Sequence, residues 1–352
     1  RSDRQALFQR LWEQHREPQQ RAGISREVLE LFQHHPWPGN LRQLSSVLRV
    51  ALAKPNARSS HRIPTPQGAG IAVTAATLLA AGIVIVLAGS PDLAIPFTVF
   101  AACLFIAVVG FADDIHSLPV IPRLLLQAAA VAAVLFSVPG DLRLVPACPL
   151  WLERGLLLIA GLWFVNLVNF MDGLDLMTVA EAVPITVAVA LLGSYGHIGA
   201  APALVAAALC GALLGFAPFN RPVAKIFLGD VGSLPIGLLL GWCLLELALH
   251  QQFAAALLLP LYYLTDATVT LFRRMARREP FWAAHRSHFY QRATDNGFTV
   301  WRVVGEVLAL NVVLALLAFA SVLLNSLVAD LALLLAGAVA VAWQLRRFSH
   351  AF

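Results

Sequence analysis

The stretch that decides the fold is residues 70–89, which read GIAVTAATLLAAGIVIVLAG and contain no charged side chain. An α-helix needs about 20 consecutive apolar residues to cross the hydrocarbon core of a bilayer. Because no water is available there, the backbone of such a segment has to satisfy its hydrogen bonds internally, as a helix does. Residues 70–89 therefore predict a transmembrane helix.

The same kind of segment recurs along the rest of the chain. Ten apolar stretches of similar length lie at 70–89, 93–112, 120–138, 151–168, 176–194, 198–217, 231–249, 253–272, 303–324 and 326–345. Hydrophobic residues make up 59% of the 352 residues and charged residues 13%, whereas a soluble domain has roughly 45–50% apolar and 25% charged residues. We therefore predict an all-α polytopic membrane protein with about ten transmembrane helices, preceded by a short soluble helical segment.

That preceding segment, residues 1–53, is polar, and its apolar spacing predicts two short amphipathic helices around a Pro/Gly break. The stretch HPWPGNLRQL at 35–44 resembles the end of the ATPase domain of bacterial enhancer-binding transcription activators, in which an arginine at the place of Arg42 senses nucleotide. The chain contains no GxxxxGK[ST] phosphate-binding loop. We therefore predict a fragment without ATPase activity of its own at 1–53 and a membrane-embedded domain at 54–352.

Basic residues are concentrated in every second connection between the apolar segments. One set of connections carries Lys54, Arg58, Arg62, Arg123, Arg221, Lys225, Arg273, Arg274, Arg277, Arg278, Arg286, Arg292, Arg346 and Arg347. The other set offers little beyond Arg143 and Arg154. Because Lys and Arg accumulate on the cytoplasmic side of membrane proteins, the first set is predicted to face the cytoplasm. This asymmetry accounts for much of the net charge of +5, and we expect contact with membrane lipid but no nucleic-acid partner.

The same alternation gathers four polar motifs at cytoplasmic helix ends, which predicts a single site. The motifs are FADDIHS (111–117), NLVNFMDGLD (166–175), NRPVAKIFLGDVGS (220–233) and HRSHFYQR (285–292). A transporter more typically carries ionisable residues near the middle of the membrane. Such residues here are chiefly Glu181, Glu246, Asp266 and Glu306. A polytopic membrane transporter therefore stays as the alternative function.

The carboxylates of these motifs suit a hard cation. Asp113 and Asp114 are adjacent after an apolar helix, and further carboxylates stand at Asp172, Asp175 and Asp230 in the other cytoplasmic connections. Carboxylate oxygens are natural ligands for Mg²⁺, which usually keeps several waters and bridges substrate phosphates. A nucleotide-sugar diphosphate would suit that arrangement.

Groups suited to phosphate accompany the carboxylates. The glycines of GDVGS (229–233) either let the backbone approach a ligand or serve a tight turn, and the helix that follows favours anions at its N-terminus. Asp230 is either a metal ligand or a cap of that helix. Cationic donors for phosphate, or for anionic lipid, are Lys225, His285, Arg286 and His288. The two histidines have no third clustered ligand, so we expect no zinc.

Taken together, five motifs closely resemble the polyprenyl-phosphate N-acetylhexosamine-1-phosphate transferases. They are KPNARSSHRIPTPQGAG (54–70), FADDIHSLP, NLVNFMDGLD, KIFLGDVGS and AHRSHFYQR, and their order covers almost all of residues 54–347. The HRSHFYQR form is most similar to the bacterial enzymes that start O-antigen or related surface polysaccharides. Three features depart from the family: Leu176 replaces a glycine, Ala69 interrupts a glycine run, and the activator-like fragment stands where a first transmembrane helix is usual.

The resemblance implies a reaction and a location. An N-acetylhexosamine 1-phosphate would pass from a UDP-sugar to undecaprenyl phosphate, with release of UMP and with Mg²⁺ as cofactor. The enzyme would be a multi-pass protein of the bacterial inner (cytoplasmic) membrane with its active site facing the cytoplasm. N-acetylglucosamine and a 6-deoxy-N-acetylhexosamine are both open as the sugar, and a homodimer is left open as well.

The resemblance also implies roles for individual residues on the donor side. Asn169 and Asp230 would hold Mg²⁺ on the donor diphosphate. Asp175 would contact the uracil base, and Phe227 would stack on it. Asp172 is counted among the substrate-binding residues.

Further roles concern the phosphates. Residues implied to hold or lie near the donor diphosphate are His285, Arg286, His288, Arg62 and Lys225. Asp113 and Asp114 would be catalytic, because they would bind or deprotonate the lipid phosphate whose oxygen attacks the β-phosphorus of the donor. A phosphate monoester is already largely ionised near pH 7, so positioning and charge neutralisation are expected to supply most of the catalysis.

Overall fold

The computed structural model describes residues 65–90, 93, 95–279 and 285–350, and the regular secondary structure of these residues is α-helical apart from an isolated bridge between Gln67 and Phe227. The helices are α1 (Ala69–Ala88), α2 (Phe97–Ile115), α3 (Val120–Ser137), α4 (Leu150–Met171), α5 (Met177–Ser194), α6 (Ala200–Asn220), α7 (Asp230–Leu249), α8 (Phe253–Leu258), α9 (Leu261–Ala276), α10 (Phe289–Asp295), α11 (Val300–Leu324) and α12 (Leu327–Phe348). The predictions for residues 1–53 and for Arg62 fall outside the described residues.

Within the described part of the chain, nine helices are long and apolar enough to cross a membrane, namely α1 to α7, α11 and α12. The predicted all-α polytopic fold is therefore confirmed. The predicted segment at 253–272 is divided, because α8 ends at Leu258 and α9 begins only at Leu261. Pro260 lies between them and cannot donate a backbone hydrogen bond, which favours a break at this point.

The helix α7 lies at the centre of the bundle. It packs against α1, α2, α4, α5, α6 and α8, and its side chains are buried along almost its whole length. The outer helices differ: α1 exposes Leu87 and α12 exposes Leu331, as expected for side chains that face lipid. Because α7 begins at Asp230, the fold brings this carboxylate to one end of the central helix.

Glycines allow the close approach of two helices to the start of α7. A Cβ atom on Gly110 of α2 would lie 2.3 Å from the Asp230 carbonyl oxygen and 2.7 Å from the Val231 nitrogen. A Cβ on Gly70 of α1 would lie 2.2 Å from the Gly232 Cα atom. The glycine of GDVGS at 232 therefore serves contact between helices, where the sequence left open a role in approaching a ligand.

We expect Gly110→Ala to destabilise the protein, because the added methyl group would meet backbone atoms of Asp230 that have no rotamer with which to move aside. Overpacking of this kind costs about 1–3 kcal/mol. The matched control is Gly211→Ala in α6, where an added Cβ meets no atom within 4 Å. Thermal unfolding in detergent measures both variants. Equal midpoints for the two would contradict the close packing of α2 on α7.

The departure at Leu176 falls on a strained backbone position. Leu176 has φ +61° in the left-handed region, just before α5 begins at Met177. Its amide donates to Asn220 Oδ1 at 2.7 Å, which fixes this turn against the end of α6. A left-handed conformation costs a residue with a side chain about 1–2 kcal/mol, whereas glycine adopts it freely. A glycine at this position would therefore remove that conformational cost.

Candidate active site

The four predicted motifs meet at one end of the helix bundle. Asn169, at the end of α4, donates from Nδ2 to Asp230 Oδ1 at 2.7 Å. The amide of Asp230 donates to Asp114 Oδ1 at 2.9 Å. The Tyr290 hydroxyl donates to the Phe170 carbonyl oxygen at 3.2 Å, which joins the histidine-containing loop, residues 285–292 with the start of α10, to the end of α4. The structure therefore brings the motifs into one polar cluster.

Asp114 caps the N-terminus of α7. Its Oδ1 atom accepts from the Asp230 amide at 2.9 Å and its Oδ2 atom from the Val231 amide at 3.0 Å. The N-cap residue of α7 is Gly229, which has no side chain with which to do this. The amides at the start of a helix favour a negative charge. The anion at this helix N-terminus is therefore a carboxylate of the protein itself, and the capping role considered for Asp230 belongs to Asp114.

The Asp230 side chain is consequently directed to the polar cluster. Asn169 Nδ2 donates to Asp230 Oδ1 at 2.7 Å and also to Ser233 Oγ at 2.8 Å. The carboxyl groups of Asp113 and Asp230 lie within hydrogen-bond distance of each other. Two carboxylates this close repel unless a proton or a cation compensates the charge. Asp113 and Asp230 thus form the acidic centre of the cluster.

Asp113 is held by two further partners. It accepts from the Leu118 amide at 2.6 Å and from Arg123 Nη1 at 2.8 Å. Both side chains of this ion pair are largely buried, with 15% of Arg123 and 7% of Asp113 exposed. A nearby positive charge stabilises the ionised carboxylate. Asp113 is therefore poorly suited to remove a proton and better suited to hold a charge in place.

The donor atoms of this centre fit a magnesium ion. Among the residues that the structure describes, no three His, Cys, Asp or Glu side chains are grouped as metal ligands. The available set is instead two carboxylates, Asp113 and Asp230, together with the carboxamide of Asn169. Magnesium is commonly bound through one or two carboxylates and keeps its other positions for water and substrate phosphates. These three side chains are thus sufficient for Mg²⁺, but they are too few for a metal that is held by protein ligands alone.

Asp172 is a partly buried carboxyl group at the end of α4. Burial, reinforced by the neighbouring charges of Asp114 and Asp175, raises the pKa of Asp172 to about 6, although a hydrogen bond from the Thr178 hydroxyl opposes this rise. The usual pKa of an aspartate is about 3.9. Asp172 therefore exchanges its proton close to neutral pH.

This raised pKa predicts a pH-dependent stability. The folded protein holds the Asp172 proton more tightly than the unfolded chain, so the stabilisation is complete below pH ~4 and is lost as the pH rises through about 6. From this group alone, the free energy of unfolding falls by about 1 kcal/mol between pH 5 and 7.5. Asp172→Asn should remove that part of the pH dependence. Denaturation in micelles with EDTA at both pH values measures it, and parallel curves for the two proteins would contradict it.

Asp175 and Asn220 fasten the loop between α6 and α7. The buried Asp175 accepts from the Ala224 amide at 3.1 Å. Asn220 Nδ2 donates to the Ile226 carbonyl oxygen at 3.1 Å. These bonds hold the loop over the end of α4, next to the acidic centre. Asp175 therefore already has a protein partner in addition to the contact predicted with a base.

Lys225 and Phe227 lie on the same loop. The Lys225 side chain is exposed, whereas Phe227 is partly buried. The Phe227 carbonyl oxygen accepts from the amides of Gly68 and Ala69, each at 3.1 Å, which ties the start of α1 to the loop. The second departure from the family, Ala69, thus falls at a backbone contact that an alanine can make.

The two histidines of the HRSHFYQR motif are adjacent in space. The rings of His285 and His288 lie 5.0 Å apart, and His288 is buried. Arg286 is exposed and forms an ion pair with the exposed Asp295 at 3.5 Å. A Cβ atom on Gly173 would lie 2.2 Å from the Tyr290 hydroxyl oxygen. Gly173 therefore admits the histidine-containing loop to the cluster.

Several residues of the cluster have no distinct signal in the sequence. Thr178, Ser233 and Tyr290 supply hydroxyl groups, and Asn220 supplies an amide. Asn220, Ser233 and Tyr290 stand inside the quoted motifs, but only their hydrogen-bond partners give them a role. Asp266 stands within an apolar segment and bonds to the histidine-containing loop, a contact that no local pattern indicates.

Comparisons with known proteins agree with this picture. A family model described as glycosyl transferase family 4 matches residues 96–248, which include most of the acidic cluster. A model described as AAA+ ATPase lid domain matches residues 1–60. The second match agrees with the activator-like resemblance of the N-terminal fragment and extends a few residues beyond position 53.

Three curated relatives illustrate the similarity. A decaprenyl-phosphate N-acetylglucosaminephosphotransferase of Mycolicibacterium smegmatis is 34% identical over 54% of this chain and 52% of its own length. The protein of the same name from Mycobacterium tuberculosis is 28% identical over 91% of this chain and 86% of its own. A phospho-N-acetylmuramoyl-pentapeptide-transferase of Streptococcus gordonii is 30% identical over 59% and 67%. The chain thus spans about half the length of the first of these relatives and more of the other two.

Proposed function

Because this chain belongs to glycosyl transferase family 4, the family of polyprenyl-phosphate N-acetylhexosamine-1-phosphate transferases, we propose that it transfers an N-acetylhexosamine 1-phosphate from a UDP-sugar to undecaprenyl phosphate. An oxygen of the lipid phosphate attacks the β-phosphorus of the donor, and the bond from that phosphorus to the bridging oxygen breaks. The products are a lipid-linked diphosphate sugar and UMP. This reaction would initiate a surface polysaccharide.

The observation that carries the proposal is the convergence of two acidic side chains and two histidines at one end of a membrane-embedded bundle. The acidic centre is Asp113 and Asp230 with Asn169, and the histidines lie on a loop that Tyr290 joins to α4. Phosphoryl transfer needs a held diphosphate, compensated charge and an aligned acceptor, and little covalent chemistry from the protein. The cluster supplies groups for the first two of these needs.

Asp113, Asn169 and Asp230 are the residues that would hold Mg²⁺. When bound, the ion would neutralise charge on the donor diphosphate. The ion pair of Asp113 with Arg123 keeps that carboxylate ionised, so Asp113 orients charge and does not act as a base. Asp114 fixes the start of α7 and with it the direction of the Asp230 side chain.

The remaining predicted residues would serve as donor-binding groups. Asp175 and Phe227 would contact the uracil base, and Asp172, directly after α4, is near enough to Asp175 for their charges to interact. Cationic groups for the diphosphate are His285, Arg286, His288, Lys225 and Arg62. The Mg²⁺ dependence, the sugar and these roles are all part of the proposal.

The arginines support a site that faces the cytoplasm of a bacterial inner membrane. Arg123, Arg273 and Arg274 lie at the end of the bundle that holds the cluster, where basic residues favour the cytoplasmic side. At the opposite end, Arg143 bonds to Glu153 at 2.8 Å, and Arg154 donates to backbone carbonyl oxygens that include that of Pro139. These two arginines are therefore engaged in local structure.

Two of the acids that could have indicated a transporter have structural partners. Glu306 bonds to Arg302 at 3.0 Å and to Arg347 at 2.9 Å. Glu181 accepts from Asn311 at 2.6 Å. Such partners tie α11 to its neighbours and do not by themselves suggest a solute path, so the transferase is the better supported function.

The test is the release of UMP by the purified full chain in detergent. We expect release only when undecaprenyl phosphate, Mg²⁺ and a suitable UDP-sugar are all present. The donors should include UDP-N-acetylglucosamine and a UDP-linked 6-deoxy-N-acetylhexosamine, with mass spectrometry of the lipid product to identify the sugar. Failure with every donor, together with uptake of a solute into proteoliposomes, would replace this proposal with the transporter.

A further inference from the structure

Asp266 on α9 is a buried acid that the proposed chemistry leaves without a role. Its side chain is fully buried, with 0% exposed. The sequence marks it only as an ionisable residue inside an apolar segment. A buried carboxylate is costly unless it is paired and hydrogen-bonded. Its partners therefore indicate what the fold uses it for.

Two of those partners are the Tyr262 and Thr270 hydroxyls of α9 itself, and the others belong to the histidine-containing loop. Asp266 Oδ1 lies 3.2 Å from His288 Nδ1 and accepts from the Phe289 amide at 3.1 Å. Asp266 Oδ2 accepts from the Tyr290 amide at 3.3 Å. Phe289 and Tyr290 open α10, whose own N-cap residue, His288, makes no side-chain cap bond. One carboxylate on α9 therefore caps α10 and binds the imidazole that precedes it.

His288 is buried, and two aromatic rings lie next to its imidazole. Only 3% of the residue is exposed. Its ring lies 5.0 Å from that of His285 and stacks on Tyr290 at 5.7 Å. An ionised carboxylate only accepts hydrogen bonds, so His288 Nδ1 has to be the donor. This assigns a proton to Nδ1 and leaves Nε2 as the ring nitrogen that can contact a ligand.

We propose that Asp266 is a positioning residue, which holds His288 with its proton on Nδ1 and thereby presents Nε2 to the donor diphosphate. The inference rests on the proposed function for its substrate, but the geometry concerns only residues of this chain. When the ring also carries a proton on Nε2, that N–H donates to a phosphate oxygen of the donor. Asp266 acts through His288 and does not touch the substrate.

The first test needs no turnover. In protein labelled with ¹⁵N at histidine, the His288 signals are assigned by their loss in His288→Asn. At a pH where the ring is neutral, we expect the proton on Nδ1 in the wild type and a mixture of tautomers in Asp266→Asn. A wild-type His288 with its proton on Nε2 would overturn the proposal. Since that result comes from the wild type, it decides the matter even if Asp266→Asn does not fold.

The second test measures the donor. We expect Asp266→Asn to raise the KM for the UDP-sugar by about 10- to 100-fold, by analogy with the loss of a partner that orients a metal-bound imidazole, with little change in the KM for undecaprenyl phosphate. The double variant Asp266→Asn/His288→Asn should be no worse than His288→Asn alone. Fully additive losses would show that Asp266 does not act through His288.

The matched control is Tyr262→Phe. It removes a hydroxyl that donates to Asp266 Oδ2 at 3.3 Å but leaves the bond to His288 in place. In Tyr262→Phe, His288 should keep its proton on Nδ1 and the KM for the UDP-sugar should stay unchanged. A rise in that KM equal to the rise in Asp266→Asn would point to general disturbance of α9 and would contradict a specific role of the Asp266–His288 bond. If the wild type turns over no UDP-sugar, the proposed function fails, while the ring-nitrogen measurement still decides the role of Asp266.

Discussion

Replacing Asp230 by asparagine is expected to lower turnover by at least about a hundredfold while leaving the fold intact, because loss of a metal ligand removes several kcal/mol of charge stabilisation from the transfer step. The first amides of α7 donate to Asp114, so their bonds do not depend on the Asp230 carboxylate. Asparagine has the same shape and still offers an oxygen to Asn169. The thermal midpoint should therefore change little.

Two measurements accompany the activity assay for Asp230→Asn. Electron paramagnetic resonance of added Mn²⁺ should show weaker binding in the variant, which reports the site without turnover. The matched control is Ser233→Ala, which removes the other acceptor of Asn169 Nδ2 and leaves both carboxylates in place. Near-normal activity of Asp230→Asn with an unchanged Mg²⁺ requirement would contradict the metal assignment, and the centre would have to be rebuilt around Asp172.

Replacing Asp114 by asparagine should lower both the stability of the protein and its activity, whereas Asp230→Asn should lower the activity alone. The asparagine side chain has one oxygen and one NH₂ group, so only one of the two backbone amides at Asp230 and Val231 would keep its acceptor. The other amide N–H would face the NH₂ group, which cannot accept its hydrogen bond. Loss of charged bonds at a helix N-terminus and an unsatisfied amide together cost about 2–4 kcal/mol. Unfolding in detergent measures this cost.

Asp141→Asn is the matched control for Asp114→Asn, because Asp141 is exposed in the connection between α3 and α4. It should unfold like the wild type. If Asp114→Asn were as stable as this control but inactive, Asp114 would be a catalytic residue in its own right, as the family resemblance implied for the Asp-Asp pair. The comparison thus separates a structural role of Asp114 from a catalytic one.

The membrane fold could be predicted from the sequence because each transmembrane helix is marked by a continuous apolar run. Runs such as 70–89 have the length and composition that lipid requires, and α1 follows that run closely. The alternation of basic loops also grouped the polar motifs correctly, since helices that cross a membrane in turn place every second connection on one side. The break at Pro260 was not predicted, because a single proline inside an apolar run does not always interrupt a helix.

The division of work within the site was not readable from the sequence, because it depends on partners that are distant in the chain. Asp113 and Asp114 are neighbours in an unremarkable pair, yet one pairs with Arg123 and the other caps a helix that begins over a hundred residues later. Asp266 and His288 likewise meet only because the fold brings the start of α10 beside α9. Composition and spacing cannot distinguish these carboxylates. Only the fold assigns each one its partner.

The central claim is that a sugar 1-phosphate, and not the sugar alone, passes to the lipid. The direct measurement uses a UDP-N-acetylhexosamine that carries radioactive phosphorus only in its β position, incubated with the purified protein, Mg²⁺ and undecaprenyl phosphate. The proposed attack on the β-phosphorus predicts that the label appears in the lipid product and that the released UMP carries none. Label that leaves in UDP, with an unlabelled glycolipid, would contradict the account, because the bond to the sugar would then be the one that breaks.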